Sequence, residues 1–403
     1  MKQLLSISIL LLLISSCSSL KMAKLMNKGA VEQPAFTAEI PFEMRLGLVV
    51  IQVNINGKDY DFMVDTGAPN VITEELAAEL KLQPALQQKT GDSQGKKESL
   101  NFVEMPEMLI GGIHFIETGA AVADLKRSNV IACLDVDGFV GANLMKSAIW
   151  QFDYERKIIT ISDTIASFDI PANAIRIPFV QAGTHTPKID ISYDSIMDKN
   201  VTFDTGSNGY FSTSQAIYSK LNQQGKITQP VVSFGANNSG LYGLEGVDSS
   251  YSATVEKTTL GNLTIPNQVV SFDHGARTLG TKFLKHYRVI VNWFTNEISL
   301  IPTDDFVNTT FEHFGMTPMY TGEKLEVRMV IIGSDADKKG IRIGDQILEV
   351  NGENFGNFST DQWCEMLNNG LVPEADQQVT LVLLHDGVER EVVVEKLNLM
   401  KTN

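Results

Sequence analysis

The string Asp-Thr-Gly occurs twice in this chain, as Asp65-Thr66-Gly67 and as Asp204-Thr205-Gly206, 139 positions apart. Each copy closes an apolar-rich stretch with strand character, Asp61-Phe62-Met63-Val64 in the first case and Asn200-Val201-Thr202-Phe203 in the second. At ordinary residue frequencies one such string turns up by chance in roughly 7% of chains this long, so a second copy behind a second strand points to duplication. The spacing supports this. Gly141, in Phe139-Val140-Gly141, stands 76 positions after Asp65, and Gly280, in Thr278-Leu279-Gly280, stands 76 positions after Asp204. The offset persists further on: Lys146 falls on Lys285, Phe152 on Val291, Tyr154 on Trp293, Ile159 on Ile298 and Ile161 on Leu300. Apolar matched to apolar at a fixed offset is the mark of a repeated structural unit. The chain is therefore expected to fold around two copies of one β-rich unit.

Local patterns fill in each copy. Residues 46–53 and 60–64 flank Asn56-Gly57, a pair suited to a two-residue hairpin turn, and the second strand delivers Asp65. Thr73 ahead of Glu74-Glu75 reads as a helix N-cap followed by first-turn acids, with the helix running to Leu80. Residues 90–98 contain two glycines and no apolar residue, which suggests an exposed hairpin tip. Trp150, Phe152 and Tyr154, then Ile159 and Ile161, alternate as half-buried strands do. The second copy differs mainly in a longer central loop, glycine-rich and polar over residues 235–246. Beyond residue 303 the repeated pattern stops. A strand over residues 325–332, a helix over residues 360–367 capped by Ser359, and a closing hairpin turned at Asp386-Gly387 form a different unit.

At the other end, Lys2, an apolar run over residues 4–14 and then Ser15-Ser16-Cys17 form a targeting segment. The apolar run is too short to span a bilayer, and no later stretch reaches the roughly 18 apolar residues that spanning needs. The net charge of -15, with no basic run, argues against nucleic acid as a partner and is in keeping with solubility. Cys133 and Cys364 lie far apart, in different units, and read as two separate buried thiols rather than a disulfide framework. No His-Glu-x-x-His string, paired-cysteine spacing, Gly-x-Ser-x-Gly elbow or dinucleotide fingerprint is present, so no metal or cofactor is expected. His274 and His286, near Gly280, read as structural or surface residues.

A duplicated acid has a chemical meaning. Two carboxyls about 3 Å apart cannot both ionise cheaply, so they share a proton and titrate as a pair. The ionised member can take a proton from water while the protonated one donates to a carbonyl oxygen, which hydrolyses a peptide bond without a metal or covalent intermediate. Aspartic proteases are the standard instance of such a dyad. The glycine allows close approach of the two loops, and the threonine hydroxyl can bond across the axis between them.

Asp65-Thr66-Gly67-Ala68 and Asp204-Thr205-Gly206-Ser207 resemble the active-site loops of aspartyl proteases, and the elements ending at Gly141 and Gly280 resemble the hydrophobic–glycine segment that packs beneath each loop in that family. The resemblance covers roughly residues 38–302 and is to retropepsin-like proteases, duplicated within one chain as in the pepsins. It implies a mainly β, bilobal acid-protease fold with Asp65 and Asp204 as catalytic residues. Thr66, Gly67, Thr205, Gly206, Gly141 and Gly280 would support the loops. By position, residues 90–98 resemble the first-lobe flap and residues 235–246 its second-lobe counterpart, although the first lacks an aromatic like the pepsin flap tyrosine.

The last unit, with Gly344-Asp345-Gln346-Ile347 and Val350-Asn351-Gly352, resembles a bacterial PDZ domain of α+β type. That implies a peptide added as a strand between a sheet edge and the helix, its C-terminal carboxylate received by the loop holding Gly315, Met316 and Thr317. Ile14-Ser15-Ser16-Cys17 resembles a bacterial lipoprotein signal, in which Cys17 is lipidated. The expected order is then a lipoprotein signal over residues 1–17, a tether over 18–37, protease lobes over 38–163 and 164–302, and a linker with the PDZ-like domain over 303–398. The expected function is an aspartic endopeptidase acting on peptides or proteins, held to the bacterial envelope by a lipid anchor and facing the periplasm. The other class compatible with these features is a peptide-binding envelope lipoprotein that no longer cuts; the intact pair of Asp-Thr-Gly strings favours the enzyme.

Overall fold

The computed structural model describes residues 20–236, 239–244 and 246–400, so the expected signal segment and Cys17 lie outside the described residues. In the first lobe, strands Leu48–Ile55 and Lys58–Asp65 form an antiparallel hairpin. Asn56 and Gly57 both take positive φ, 54° and 84°, as a two-residue turn between right-twisted strands requires. Strand Lys58–Asp65 runs parallel to Gly138–Gly141, with Gly141 opposite Asp65. The second lobe repeats this. Hairpin Thr186–Tyr193 and Ile196–Phe203 leads into Asp204, and Ile196–Phe203 lies parallel to Thr278–Leu279. Helix Glu74–Glu79 starts at Thr73, whose hydroxyl accepts the Leu76 N–H. One-turn helices Ala142–Met145 and Thr281–Leu284 follow the two glycines at the same offset.

The lobes join through a six-stranded antiparallel sheet whose middle pair is Ile149–Asp153 and Tyr287–Asn292. Gln151 pairs with Ile290, its own equivalent under the 139-residue offset, so an approximate two-fold axis passes between them. All five residues of Ile149–Asp153 are buried, not the alternate half expected. Trp150 and Phe152 enter the main core while Ile149 packs with Phe168 and Ile290. A central strand covered on both faces has no solvent side for the alternation to serve.

Residues 20–37 are not a free tether. Residues 20–27 are helical, Leu25 and Met26 are buried against the first lobe, and strand Ala30–Val31 extends the sheet at Ile113–Ile116. Met22, Leu25 and Met26 have the i, i+3, i+4 spacing of an apolar helix face.

The third unit has its own core, built by residues such as Val327, Ile347, Trp363 and Leu381. Helix Thr360–Asn369 begins with a reciprocal cap: the Ser359 hydroxyl accepts the Gln362 N–H, and the Gln362 side chain accepts the Ser359 N–H. This unit is docked on both lobes. Its strand Leu325–Ile331 pairs with second-lobe strand Ile227–Gly235, Phe234 opposite Val330. Against the first lobe, Cys133 and Cys364 are joined in a disulfide, contrary to the expectation of separate thiols. They are 231 positions apart, and only the docking of helix Thr360–Asn369 on the turn Ile131–Leu134 makes them neighbours.

Candidate active site

Both Asp-Thr-Gly loops meet at the approximate two-fold axis. The Thr66 hydroxyl donates to the Phe203 carbonyl at 2.6 Å, and the Thr205 hydroxyl donates to the Val64 carbonyl at 2.8 Å. Each hydroxyl also accepts the other threonine's backbone N–H at 3.0 Å. Both threonines are fully buried. Four hydrogen bonds in a dry environment thus tie strand end to strand end, and neither loop can shift without stranding a buried polar group.

The glycines are required by close approach. A Cβ on Gly67 would stand 2.5 Å from Asp204 Oδ1, and one on Gly206 would stand 2.3 Å from Asp65 Cγ. Each carboxyl therefore lies against the opposite loop's glycine, and the two acids stand close enough for each to shift the other's proton affinity. Gly141 and Gly280 do similar work below. A Cβ on Gly141 would meet the Pro69 carbonyl carbon at 2.1 Å, and one on Gly280 would meet the Gly209 oxygen at 2.6 Å. From just past these glycines, Ala142 N–H donates to Ala68 O and Thr281 N–H to Ser207 O, equivalent bonds at the 139-residue offset.

The two acids are not equivalent. Asp65 Oδ1 accepts N–H groups from Gly67 at 2.7 Å and Ala68 at 3.0 Å. Among the described residues Asp204 Oδ1 accepts one N–H, that of Gly206 at 2.9 Å; the Ser207 N–H goes to the Asp204 backbone carbonyl. Burial pushes Asp204 well above the usual carboxylate range and the neighbouring Asp65 charge adds to this, with Gly206 N–H and the Lys188 ammonium opposing. Burial also raises Asp65, against the Gly67 N–H, the neighbouring Asp204 side chain and the Ala68 N–H. The extra donor favours Asp65 as the ionised member and Asp204 as the protonated one.

Some contributors carry no sequence signal. Asn70 and Asn143, both buried, brace the first loop: Asn143 Oδ1 accepts Asn70 N–H and Asn70 Oδ1 accepts Gly141 N–H, each at 2.7 Å. Lys188 donates to Thr202 Oγ1 at 2.6 Å, two residues before Asp204. The first-lobe hairpin Leu86–Gly91 and Lys97–Glu104 meets an aromatic after all, supplied by the other lobe. Tyr242 shares a 2.8 Å hydrogen bond with the Thr90 hydroxyl, and its N–H donates to Asp92. His274 is exposed beside Asp248, and His286 pairs with Asp304 at 2.7 Å.

Comparison with known proteins bears on both halves of the chain. An aspartyl protease family model matches residues 51–144. A PDZ domain model matches residues 326–383. The chain carries an aspartyl protease domain and a PDZ domain. No curated protein matches it. The protease match takes in Asp65 and Gly141, while Asp204 lies outside it and is tied to the domain by the shared geometry. The architecture is mainly β, a bilobal acid-protease fold followed by the PDZ domain.

Within the PDZ domain, the loop residues Gly315, Met316 and Thr317 lie at the start of strand Met316–Tyr320. Gly315 has φ 92° and its N–H donates to His313 Nδ1 at 2.9 Å. Burial lowers the His313 ring pKa to about 4, with the Lys396 charge adding to it, so the ring is neutral at pH 7 and free to accept.

Proposed function

We propose that the chain is an aspartic endopeptidase in which Asp65 and Asp204 activate water against a peptide carbonyl. The observation that carries this is the seating of each carboxyl against the opposite loop's glycine, which brings two buried acids within reach of each other's charge. Ionised Asp65 takes the proton from water. Protonated Asp204 donates to the carbonyl oxygen as the tetrahedral species forms. The Thr66–Thr205 bonds hold the geometry without reorganisation during the reaction. Substrate would be an extended peptide or protein segment lying under the hairpin Leu86–Gly91 and Lys97–Glu104.

The test is cleavage of denatured protein and of a peptide library by the purified chain. Asp65→Asn and Asp204→Asn should each lower the rate by about 10²-fold or more. Full activity in both variants would refute the mechanism.

We further propose that Cys17 is lipidated and that the protein faces the bacterial periplasm. The string Ile14-Ser15-Ser16-Cys17 supports the anchor, and a disulfide suits an oxidising compartment. Among the described residues no helix is long and apolar enough to cross a membrane. Incorporation of a fatty-acid probe that persists in Cys17→Ser would refute the anchor.

A further inference from the structure

A PDZ domain takes its ligand between a sheet edge and a helix. In this chain the edge is strand Met316–Tyr320 and the helix is Thr360–Asn369. First-lobe residues 128–134 lie at one end of that space. Asn129 reaches both walls: its side-chain amide donates to Tyr320 O at 3.0 Å, and its carbonyl accepts the Trp363 indole N–H at 3.0 Å. Val130 and Cys133 pack on the PDZ core, while Ile131 and Leu134 pack on the first-lobe core. The segment is thus a wedge with one apolar face for each partner, and the Cys133–Cys364 bridge fastens it to the helix. At the other end, His313 already holds the Gly315 N–H that a peptide carboxylate would need.

The same wedge leads to the first-lobe hairpin. Ser128 bonds to Ser239 at 2.8 Å, at the start of the small hairpin Ser239–Gly240 and Gly243–Leu244. Leu241 of this hairpin packs on the first lobe and Leu244 on the PDZ core. Lys96, at the tip of the first-lobe flap, donates to the Leu244 carbonyl. Tyr242 holds Thr90 and Asp92 of the same flap. The first-lobe hairpin is therefore pinned by a second hairpin that itself rests on the PDZ domain and on the wedge.

We propose that the PDZ domain is an internal latch: residues 128–134 of the first lobe plug one end of its groove, the Cys133–Cys364 bridge fastens that plug, and release of the latch frees the flap for substrate entry. The covalent part is reversible. A dithiol reductant delivers two electrons and two protons, the sulfur–sulfur bond breaks to two cysteine thiols, and the reductant leaves as its own disulfide. Only the activity readout rests on the proteolytic assignment of Asp65 and Asp204; the latch itself is read from backbone exchange.

The test uses the full chain, with peptide mapping of the cysteines and hydrogen exchange before and after dithiothreitol. Mapping should find Cys133 linked to Cys364. On reduction, and in Cys133→Ser and Asn129→Ala, exchange over residues 86–104, 128–134 and 360–369 should rise together by about tenfold or more. The interlobe strand Ile149–Asp153 should stay protected, which separates unlatching from unfolding. Lys96→Met, which leaves the bridge intact, should raise exchange in residues 86–104 alone. Cleavage of denatured protein should quicken by about threefold or more in the unlatched forms. Free thiols at both cysteines in the native protein, or flap exchange unchanged by reduction, would overturn the proposal. Unlatching with no cleavage in any form would leave the latch standing and remove the protease assignment.

Discussion

Gly206→Ala isolates the contact on which the paired acids depend, because it changes no ionisable group. The new Cβ would stand 2.3 Å from Asp65 Cγ and 2.5 Å from each carboxyl oxygen. Ordinary carbon contacts are about 3.5–4.0 Å, so the carboxyl must retreat by about 1 Å. It is held by the Gly67 and Ala68 N–H groups, and the retreat has to break one of these. A displacement of about 1 Å in a reacting group costs on the order of 10²-fold in rate, and overpacking a filled site costs about 1–3 kcal/mol of stability. The expectation is a kcat about 100-fold lower, with KM within about threefold since peptide contacts are untouched. Gly246→Ala, where a Cβ meets nothing within 4 Å, serves as the control and should match the native chain. The assay is steady-state cleavage of a quenched peptide, with a thermal scan of both variants. A Gly206→Ala protein whose kcat stays within about threefold of native would refute the argument that the carboxyl is seated against that glycine during catalysis.

Three other outcomes follow from described contacts. Thr205→Val strands the Thr66 N–H and the Val64 carbonyl in a dry site, so it should destabilise by about 2–4 kcal/mol in a denaturant titration, with Thr205→Ser within about 1 kcal/mol of native; equal losses would contradict the cross-axis role. Asp204 has a raised folded pKa, so its contribution to stability is full below its unfolded value of about 3.9 and is lost as pH rises through the folded value. Asp204→Asn should therefore match native stability near pH 3 and exceed it at neutral pH, by about 1.4 kcal/mol for every factor of ten by which folding weakens the acid; a gap that is constant with pH would contradict this. Loss of the Cys133–Cys364 bridge, which spans 231 positions, should cost up to about 5 kcal/mol on loop-entropy grounds. Dithiothreitol should lower the melting temperature of the native chain and leave that of Cys364→Ser unmoved; an equal drop in both would place the effect elsewhere.

What the sequence made legible was what local chemistry and exact repetition encode. The turn at Asn56-Gly57 and the caps at Thr73 and Ser359 formed as residue type dictates. The 139-residue offset reappears as hydrogen bonds between equivalent atoms of the two loops. What escaped depended on docking. Cys133 and Cys364 belong to separate units by every local criterion, and pair only because one unit sits on another. Tyr242 lies in a polar, glycine-rich loop whose composition says nothing of the first-lobe hairpin it meets. The burial of all of Ile149–Asp153 follows from later residues such as Phe168 and Ile170 packing on a face that one lobe alone would leave open. The helical spacing of Met22, Leu25 and Met26 was there to be seen, but stood within a stretch whose small, polar and basic residues suggested a tether.

The pairing of Gln151 with Ile290 marks the axis of a body that two identical subunits could also build. Such a pair would be bound by its symmetry: whatever surrounds one acid surrounds the other, and a single proton has no preferred owner. Fusion into one chain removes that constraint. Ala68 and Ser207 occupy equivalent positions, yet the first turns its N–H toward the acid and the second does not. One continuous chain can thus assign acid and base before any substrate arrives, a division of labour that a symmetric dimer could reach only by breaking its own symmetry on binding.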